Sequence, residues 1–219
     1  MSLNTWVIMP AYNEAEHISK VIKGIKKHCK KIVVVDDGSI DETEIICKKE
    51  NVFFLKHIIN LGKGAALRTG CDFALKNGAK EFIVIDSDGQ HDPNEIPLFI
   101  DALKKSDIVY GYRKFNTTMP FTMRLGNFVL GKSIKILFKE DLLDTQCGFR
   151  AFSSRSYRLI RWVSNDYGME SEMIANAGKS HLKYAQVPIK TIYLDGYKGT
   201  SAFDGIKILL DMIFWRLFR

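Results

Sequence analysis

Two aspartates separated by one residue follow a run of apolar residues in the stretch FIVIDSDGQHDP, residues 82–93. Asp86 and Asp88 stand where a buried strand is expected to end, and Gln90 follows at the same spacing. Residues two apart in an extended chain point to the same side, so these side chains are expected to lie together. Two adjacent carboxylates do not both stay ionised without a nearby cation. Mg²⁺ or Mn²⁺, held by such oxygens and bridged to phosphate, is the usual partner.

The same stretch also has a structural interpretation. An aspartate that follows a strand commonly accepts a hydrogen bond from the backbone two residues later and so forms a turn. This interpretation is the better one for an isolated Asp-X-Asp pattern, and His91 beside it is interpreted as a loop residue rather than a metal ligand. A metal site is favoured here only because polar clusters end other strands of the chain as well.

Apolar runs alternate with helical patterns through the first half of the chain. The strand patterns are TWVIMP, KIVVVDDGS, VFFLKH, EFIVIDSDG and DIVYGYR. Segments in which apolar residues recur at helical spacing separate them, and Ile18, Val21, Ile22 and Ile25 form one such face. Nearly continuous apolar strands between helices predict an α/β fold with a mostly parallel central sheet and helices on both faces.

Ligands of such sheets bind beyond the carboxyl ends of the strands. The three clusters at strand ends are PAYNE (10–14), VDDGS (35–39) and DSDGQH (86–91), and they are expected to converge on one crevice. The segment LGKGAALRTG is not a phosphate loop of the GxxxxGK[ST] type, because no Ser or Thr follows its lysine. Gly62 and Gly64 are expected to allow a tight turn into a helix, with Lys63 either near a diphosphate or in solvent.

Taken together, these segments resemble the nucleotide-sugar-binding half of family two glycosyltransferases, which have the GT-A (Rossmann-like) nucleotide-diphospho-sugar transferase fold. The matching motifs, in order, are VIMPAYNEAEHI, VVVDDGSIDET, NLGKGAALRTG and VIDSDGQHDP. Further on, DTQCGFRAF (144–152) resembles a segment of the dolichol- and polyprenyl-phosphate sugar transferases in that family. The resemblance implies a metal-dependent, inverting transfer of a hexose from a nucleoside diphosphate sugar to a dolichyl or polyprenyl monophosphate.

The resemblance also assigns roles to individual residues. The implied donor-binding residues are Pro10, Ala11, Tyr12, Glu14, Asp37, Lys63, Asp86, Ser87, Gln146 and Arg150. The implied metal ligands are Asp86, Asp88 and Gln90, and Asp86 also faces the ribose or the sugar. Ser87 replaces the alanine that is common in the family, which leaves its contact with the donor open. Mannose from GDP-mannose is the first expectation and glucose from UDP-glucose the second.

The acceptor is suggested by a segment that has no acidic residue. Residues 108–139 contain six Lys and Arg residues and no Asp or Glu. A sugar hydroxyl acceptor needs a general base, whereas an anionic lipid phosphate needs cations to hold it. Arg113 and Arg124 are therefore predicted to act with Asp88 in catalysis. In the alternative, a saccharide hydroxyl accepts the sugar and Glu170 or Glu172 is the base.

Two segments favour attachment to a membrane surface. If residues 124–139 are helical, Arg124 and three lysines fall within an arc of about 80° beside a wide apolar face. Gly126 and Gly131 weaken that helix and are expected to divide it in two. Ten of the thirteen residues 206–218 are apolar, which suits an interfacial helix. The alternatives are a core helix with its polar edge in water and, for the second segment, packing on the domain or pairing between subunits.

Composition limits the remaining possibilities. The net charge of +7 and pI of about 9.1 favour an anionic partner, but no nucleic-acid-binding motif is present, and no nucleic acid is expected. Four cysteines without metal spacing are predicted to be buried thiols in a reducing cytoplasm. With no signal peptide or membrane span recognised, a peripheral protein on the cytoplasmic membrane face is expected.

The 219 residues are expected to form one domain. Residues 1–112 would bind the nucleotide sugar, and residues 113–219 would bind the acceptor and the membrane. An oligomer is compatible with the sequence. The alternative from another class of function is a non-catalytic membrane-associated adaptor that keeps nucleotide-sugar binding.

Overall fold

A seven-stranded sheet forms the centre of the computed structural model. The structure describes residues 4–113, 121–166, 168–190, 192 and 202–218, with the backbone alone for 121–125 and 202–204. The strands are β1 (Thr5–Ala11), β2 (Ile32–Asp36), β3 (Phe53–Lys56), β4 (Glu81–Val84), β5 (Ile108–Arg113), β6 (Arg150–Ser153) and β7 (Tyr184–Ile189). Their order across the sheet is β3-β2-β1-β4-β6-β5-β7.

Helices cover both faces of this sheet. They are α1 (Ile18–Lys26), α2 (Thr43–Lys49), α3 (Lys63–Lys76), α4 (Ile96–Leu103), α5 (Phe121–Phe138), α6 (Ser154–Ile160), α7 (Met169–Lys179) and α8 (Ala202–Phe218). The three isoleucines and one valine predicted to share a face of α1 are all buried. The α/β fold class predicted from the alternation of patterns is confirmed.

The strands β1 to β4 are parallel to one another, as the apolar runs predict. β6 is the exception, because it lies between β4 and β5 and is antiparallel to both. The prediction placed no strand at residues 150–153. Since β6 runs in the opposite direction, it begins at the edge of the sheet where β4 ends. The preceding segment, residues 144–149, therefore lies beside Asp86.

Side chains that alternate along the strands divide the core into two layers. Ile8 and Val33 pack on one face with α3, α5, α6, α7 and α8, whereas Val7 and Val34 pack on the other with α1, α2 and α4. One sheet spans the predicted boundary at residue 112, since β6 and β7 join strands from the first half. All four cysteines are buried and free, which confirms the prediction of buried thiols.

α5 is a single helix from Phe121 to Phe138, so the expected division at its two glycines is wrong. A Cβ at Gly126 would meet nothing within 4 Å, and one at Gly131 would make only ordinary contacts. The neighbouring turns supply enough packing to keep the helix continuous, because Leu130, Ile134 and Phe138 are buried against the core.

The outer sides of α5 and α8 expose apolar residues together with lysines. We call this the α5–α8 surface; its apolar members are Phe128, Val129, Ile136, Ile206, Leu210, Ile213, Phe214, Leu217 and Phe218. Lys132, Lys135 and Lys139 are exposed among them. Trp215, which belongs to the segment expected to be interfacial, is buried. Within the described residues, no helix is both long enough and apolar enough to cross a bilayer.

Candidate active site at the carboxyl end of β4

Asp86 follows β4 and is bound by a cation of the protein itself. The ammonium of Lys63 lies 2.8 Å from Asp86 Oδ1, and His91 Nε2 lies 3.5 Å from Oδ2. Burial alone would raise the pKa of Asp86, but Lys63 and His91 hold it well below its usual range. A metal was predicted because Asp86 and Asp88 would repel each other. Lys63 already reduces this repulsion, because its ammonium pairs with Asp86.

Asp88 combines the two interpretations of the Asp-X-Asp pattern. Its Oδ1 accepts a hydrogen bond from the backbone N–H of Gln90 at 2.9 Å, which forms the turn of the structural alternative. The described part of the chain places no hydrogen-bond donor against its other oxygen, Oδ2. Burial and the neighbouring Asp86 raise the pKa of Asp88, as expected for a carboxylate that lacks a cation.

Lys63 begins α3, and two glycines fix its position. Gly62 has a φ of +98°, and a Cβ on Gly62 or on Gly64 would collide with the backbone of residues 164–165. Only glycine allows this approach, so the prediction of a tight turn into a helix is confirmed. Lys63 is not a solvated lysine, since its ammonium also lies 3.0 Å from Glu170 Oε1. Burial opposes the change, but the two carboxylates raise its pKa.

The two glutamates at the start of α7 have different roles. Glu172 is buried and accepts hydrogen bonds from the backbone N–H groups of Val163 and Ser164 and from the Ser164 hydroxyl. It therefore holds a loop and is not available as a general base. Glu170 is also buried; one oxygen pairs with Lys63, and the other, Oε2, has no hydrogen-bond partner among the described residues.

The segment DTQCGFR reaches Asp86 through Gly148. A Cβ at Gly148 would overlap the Asp86 carboxylate, so the backbone must approach it without a side chain. Gln146 donates to the Ser171 hydroxyl at 3.1 Å, which joins this segment to the first turn of α7.

Arg150 does not face this site, contrary to the prediction that it contacts the donor. It is 1% exposed, and its guanidinium donates to the backbone oxygens of Thr145, Cys147 and Glu170. Because its guanidinium is used by these three carbonyl groups, Arg150 stabilises the loop of residues 145–147 and cannot reach a phosphate in this arrangement.

Arg113 is also not the free cation that was predicted. Its Nε and Nη2 donate to the two oxygens of Asp144, at 2.6 Å and 3.0 Å, and both side chains are buried. Asp144 accepts further hydrogen bonds from Asn127 Nδ2 and the Gln146 backbone. The sequence prediction missed Asp144 and Asn127, because an ion pair between residues 31 apart leaves no local signal. Arg124 lies in α5, and its side chain is outside the described residues.

Residues expected to border the nucleoside lie at the end of β1. Ala11 is buried and Tyr12 is 43% exposed, so the tyrosine ring is available to a ligand. Ser87 is buried and donates to the backbone oxygen of Pro10 at 2.7 Å. It therefore joins the ends of β1 and β4, and its hydroxyl hydrogen is used by Pro10. The backbone N–H of Glu14 donates to the Thr43 hydroxyl.

Asp37 organises the loop that precedes Lys63. Its carboxylate accepts hydrogen bonds from the backbone N–H groups of Leu61 and Gly62 and lies 2.6 Å from His57 Nδ1. Three of the four acceptor positions of a carboxylate are thereby used. The predicted contact with a base or ribose is limited to the one that remains on Oδ2.

The donor set at this edge fits an oxygen-ligated divalent ion. Asp88 Oδ2 and Glu170 Oε2 lack partners among the described residues, and Asp86 needs only to exchange Lys63 for another cation. Carboxylate oxygens are the ligands that Mg²⁺ and Mn²⁺ prefer. Within the described residues, no three His, Cys, Asp or Glu side chains are already arranged around a common point. A bound ion would thus need ligands from a substrate as well.

Relatives match this chain over nearly its whole length. A protein of Methanocaldococcus jannaschii of uncharacterised function is 38% identical over 97% of this chain and 92% of its own length. The UDP-N-acetylglucosamine–dolichyl-phosphate N-acetylglucosaminyltransferase of Methanococcus voltae is 32% identical over 97% of this chain and 96% of its own.

Solved structures share the fold, and a family model matches the sequence. Glucosyl-3-phosphoglycerate synthase from Mycobacterium tuberculosis, crystallised with Mg²⁺ and uridine diphosphate, superposes with a TM-score of 0.77 at 20% identity, over 97% of this chain and 79% of that one. The model named "Glycosyl transferase family 2" matches residues 6–161. The chain therefore belongs to glycosyltransferase family 2 and has its GT-A fold.

Proposed function

We propose that this protein transfers a sugar from a nucleoside diphosphate sugar to a polyprenyl or dolichyl monophosphate, with Mg²⁺ or Mn²⁺ as cofactor. Family membership supports glycosyl transfer, and the Methanococcus voltae enzyme, similar over 97% of this chain, is named for a dolichyl-phosphate acceptor.

The contacts of Glu170 and Glu172 distinguish between a hydroxyl acceptor and a phosphate acceptor. A hydroxyl acceptor requires a carboxylate that can take its proton. Glu172 is fully engaged with residues 163–164, and Glu170 is paired with Lys63. A phosphate acceptor is already anionic and requires no base. The geometry therefore favours phosphate, and this observation distinguishes it from the saccharide-hydroxyl alternative.

In the proposed reaction, an acceptor phosphate oxygen attacks the anomeric carbon as the bond to the diphosphate breaks, with inversion and departure of a nucleoside diphosphate. Asp88, with Asp86 and Gln90, would hold the divalent ion, which offsets the charge of the leaving diphosphate when bound. Tyr12 would border the base, and Lys63 would approach the diphosphate after leaving Asp86. Arg124 remains the predicted cation for the acceptor, whereas Arg113 positions residues 144–146 through its pair with Asp144.

The α5–α8 surface would bring this site to the lipid. It combines nine exposed apolar residues with exposed lysines, which suits the boundary between lipid headgroups and acyl chains. The N-terminal part of α5 lies at the site, since Asn127 contacts both Asp144 and Thr145. A peripheral position on the cytoplasmic membrane face would follow.

The test is a panel of radiolabelled donors with a short-chain polyprenyl phosphate. GDP-mannose is the first expectation and UDP-glucose the second; UDP-N-acetylglucosamine is added because a relative is named for it. Label should enter the organic phase with Mn²⁺ or Mg²⁺ and not with chelator, and Asp88→Asn should abolish it while Asp92→Asn, in the same loop, retains it. Absence of label with every donor would contradict the proposal.

Two further variants separate the acceptor classes. Arg124→Ala should reduce transfer to lipid phosphate more than Glu170→Gln does. If Glu170→Gln instead abolished transfer to a saccharide while Arg124→Ala had little effect, the hydroxyl alternative would replace the proposal. Donor binding without transfer or hydrolysis under either metal would identify the non-catalytic adaptor.

A further inference from the structure

A lysine lies between two carboxylates at the proposed metal site. Lys63 Nζ contacts Asp86 Oδ1 and Glu170 Oε1 at 2.8 Å and 3.0 Å, and Asp88 is two residues from Asp86. The side chains of Lys63 and Asp86 are only 20% and 18% exposed, and Glu170 is 3% exposed. Such low exposure weakens screening by water, so these charges act strongly on one another.

A divalent ion and the ammonium of Lys63 would need the same carboxylate. An ion bound by Asp86 and Asp88 would lie close to Nζ as long as that ammonium remains on Asp86, and like charges at such a distance repel. Either the ion stays out, or Lys63 leaves Asp86. Glu170 gives the lysine a second partner that is not in the Asp-X-Asp pair, and its Oε2 is buried without a partner among the described residues.

We propose that Lys63 is an internal counter-ion that occupies Asp86 in the free protein and thereby makes binding of the divalent ion depend on the donor. This inference rests on the proposed function, which supplies the donor. The donor's diphosphate adds negative charge beside Lys63, draws the ammonium from Asp86 and provides the oxygen ligands that the described chain lacks. Metal and donor then bind together, and each strengthens the binding of the other by the same factor.

The experiment measures Mn²⁺ binding to the full chain without donor or acceptor, from the electron paramagnetic resonance signal of free Mn²⁺. Lys63→Met should bind Mn²⁺ about ten-fold more tightly than the wild type or better, which corresponds to about 1.4 kcal/mol. Lys63→Arg keeps the charge and should bind as weakly as the wild type. Lys48→Met, at an exposed lysine outside the site, is the matched control and should change nothing.

A second measurement examines the coupling with nucleotide. Addition of UDP or GDP should raise the Mn²⁺ affinity of the wild type strongly and that of Lys63→Met much less, because the counter-ion has already been removed. Glu170→Gln should weaken Mn²⁺ binding to the free protein, because it leaves Lys63 with Asp86 alone. Unchanged or weaker Mn²⁺ binding by Lys63→Met would overturn the inference.

Removal of Lys63 leaves buried carboxylates unpaired, so Lys63→Met must be checked for folding by circular dichroism. If it is unfolded, the double variant Lys63→Met/Glu170→Gln removes one charge of each sign. It should bind Mn²⁺ more tightly than Glu170→Gln, and equal or weaker binding would overturn the inference. These measurements follow Mn²⁺ binding and involve no sugar transfer. The counter-ion inference can therefore fail independently of the proposed function, which the donor panel tests.

Discussion

Asp144 and Arg113 show how a single pair of residues removes two charges from the surface of the site. The predicted cation is buried and bound through two hydrogen bonds, and the same carboxylate orients Asn127 and the Gln146 backbone. Arginine forms such paired contacts with carboxylates readily, because its planar group matches their geometry. Arg113 is therefore assigned to positioning rather than to direct contact with phosphate.

Asp144→Asn should destabilise the protein by about 3–5 kcal/mol, because it leaves a buried guanidinium without its charge partner. Urea unfolding at pH 7 measures this change. The double variant Arg113→Met/Asp144→Asn should recover part of the loss; a single variant as stable as the wild type would contradict the pairing.

Asp144 also gives this pair a dependence on pH. Burial opposes the shift, but Arg113 and the backbone N–H groups lower the pKa of Asp144 in the folded protein. Its stabilising effect is therefore complete above the pKa of the unfolded chain and is lost as the pH falls toward the lower folded value.

Glu140, at the element scale, follows the last turn of α5 and is buried. Burial raises its pKa to about 7, and its Oε2 has no hydrogen-bond partner among the described residues. A carboxyl whose folded pKa is raised binds its proton more tightly when folded. Its contribution to stability is therefore present at low pH and is lost as the pH rises from about 4 through 7.

Glu140→Gln should remove this dependence. As the pH is raised from 5 to 8, the urea concentration at the midpoint of unfolding should decrease for the wild type. It should decrease less for the variant. Equal changes in the two proteins would show that Glu140 is not the group responsible.

Two glycines, one in the loop before β6 and one in α5, provide a matched comparison. Gly148→Ala should displace Asp86, because the new Cβ would overlap its carboxylate, and we expect loss of sugar transfer and of Mn²⁺ binding. Gly126→Ala meets open space on α5 and should raise stability by about 0.5–1 kcal/mol through helix propensity. Activity assays and urea unfolding on both variants test this contrast, and an active Gly148→Ala would contradict the placement of Asp86.

At the scale of the whole molecule, the net charge of +7 and the α5–α8 surface together favour an anionic membrane. We expect the protein to sediment with vesicles that contain anionic phospholipid and to bind less in high salt. Phe214→Asp/Leu217→Asp should reduce binding, because both side chains are exposed on α8.

Ile58→Asp is the control for this membrane prediction. It removes an apolar side chain that is 98% exposed in the loop between β3 and α3 and is not a member of the α5–α8 surface. If this variant lost vesicle binding as strongly as the α8 variant does, the membrane would be contacting another face.

The sequence by itself determined the α/β class, the positions of β1 to β5 along the chain and the glycines at the start of α3. These features depend on neighbouring residues, since apolar alternation and turn chemistry act over a few positions. Only the tertiary structure decided that Lys63 neutralises Asp86 and that Asp144 neutralises Arg113. It also decided that β6 runs antiparallel to β4 and β5 and that Arg150 stabilises residues 145–147 by hydrogen bonds to their backbone. Each of these features depends on contacts between segments that are distant in the sequence. Buried charges have to be paired, and no local sequence pattern shows which distant residue supplies the partner.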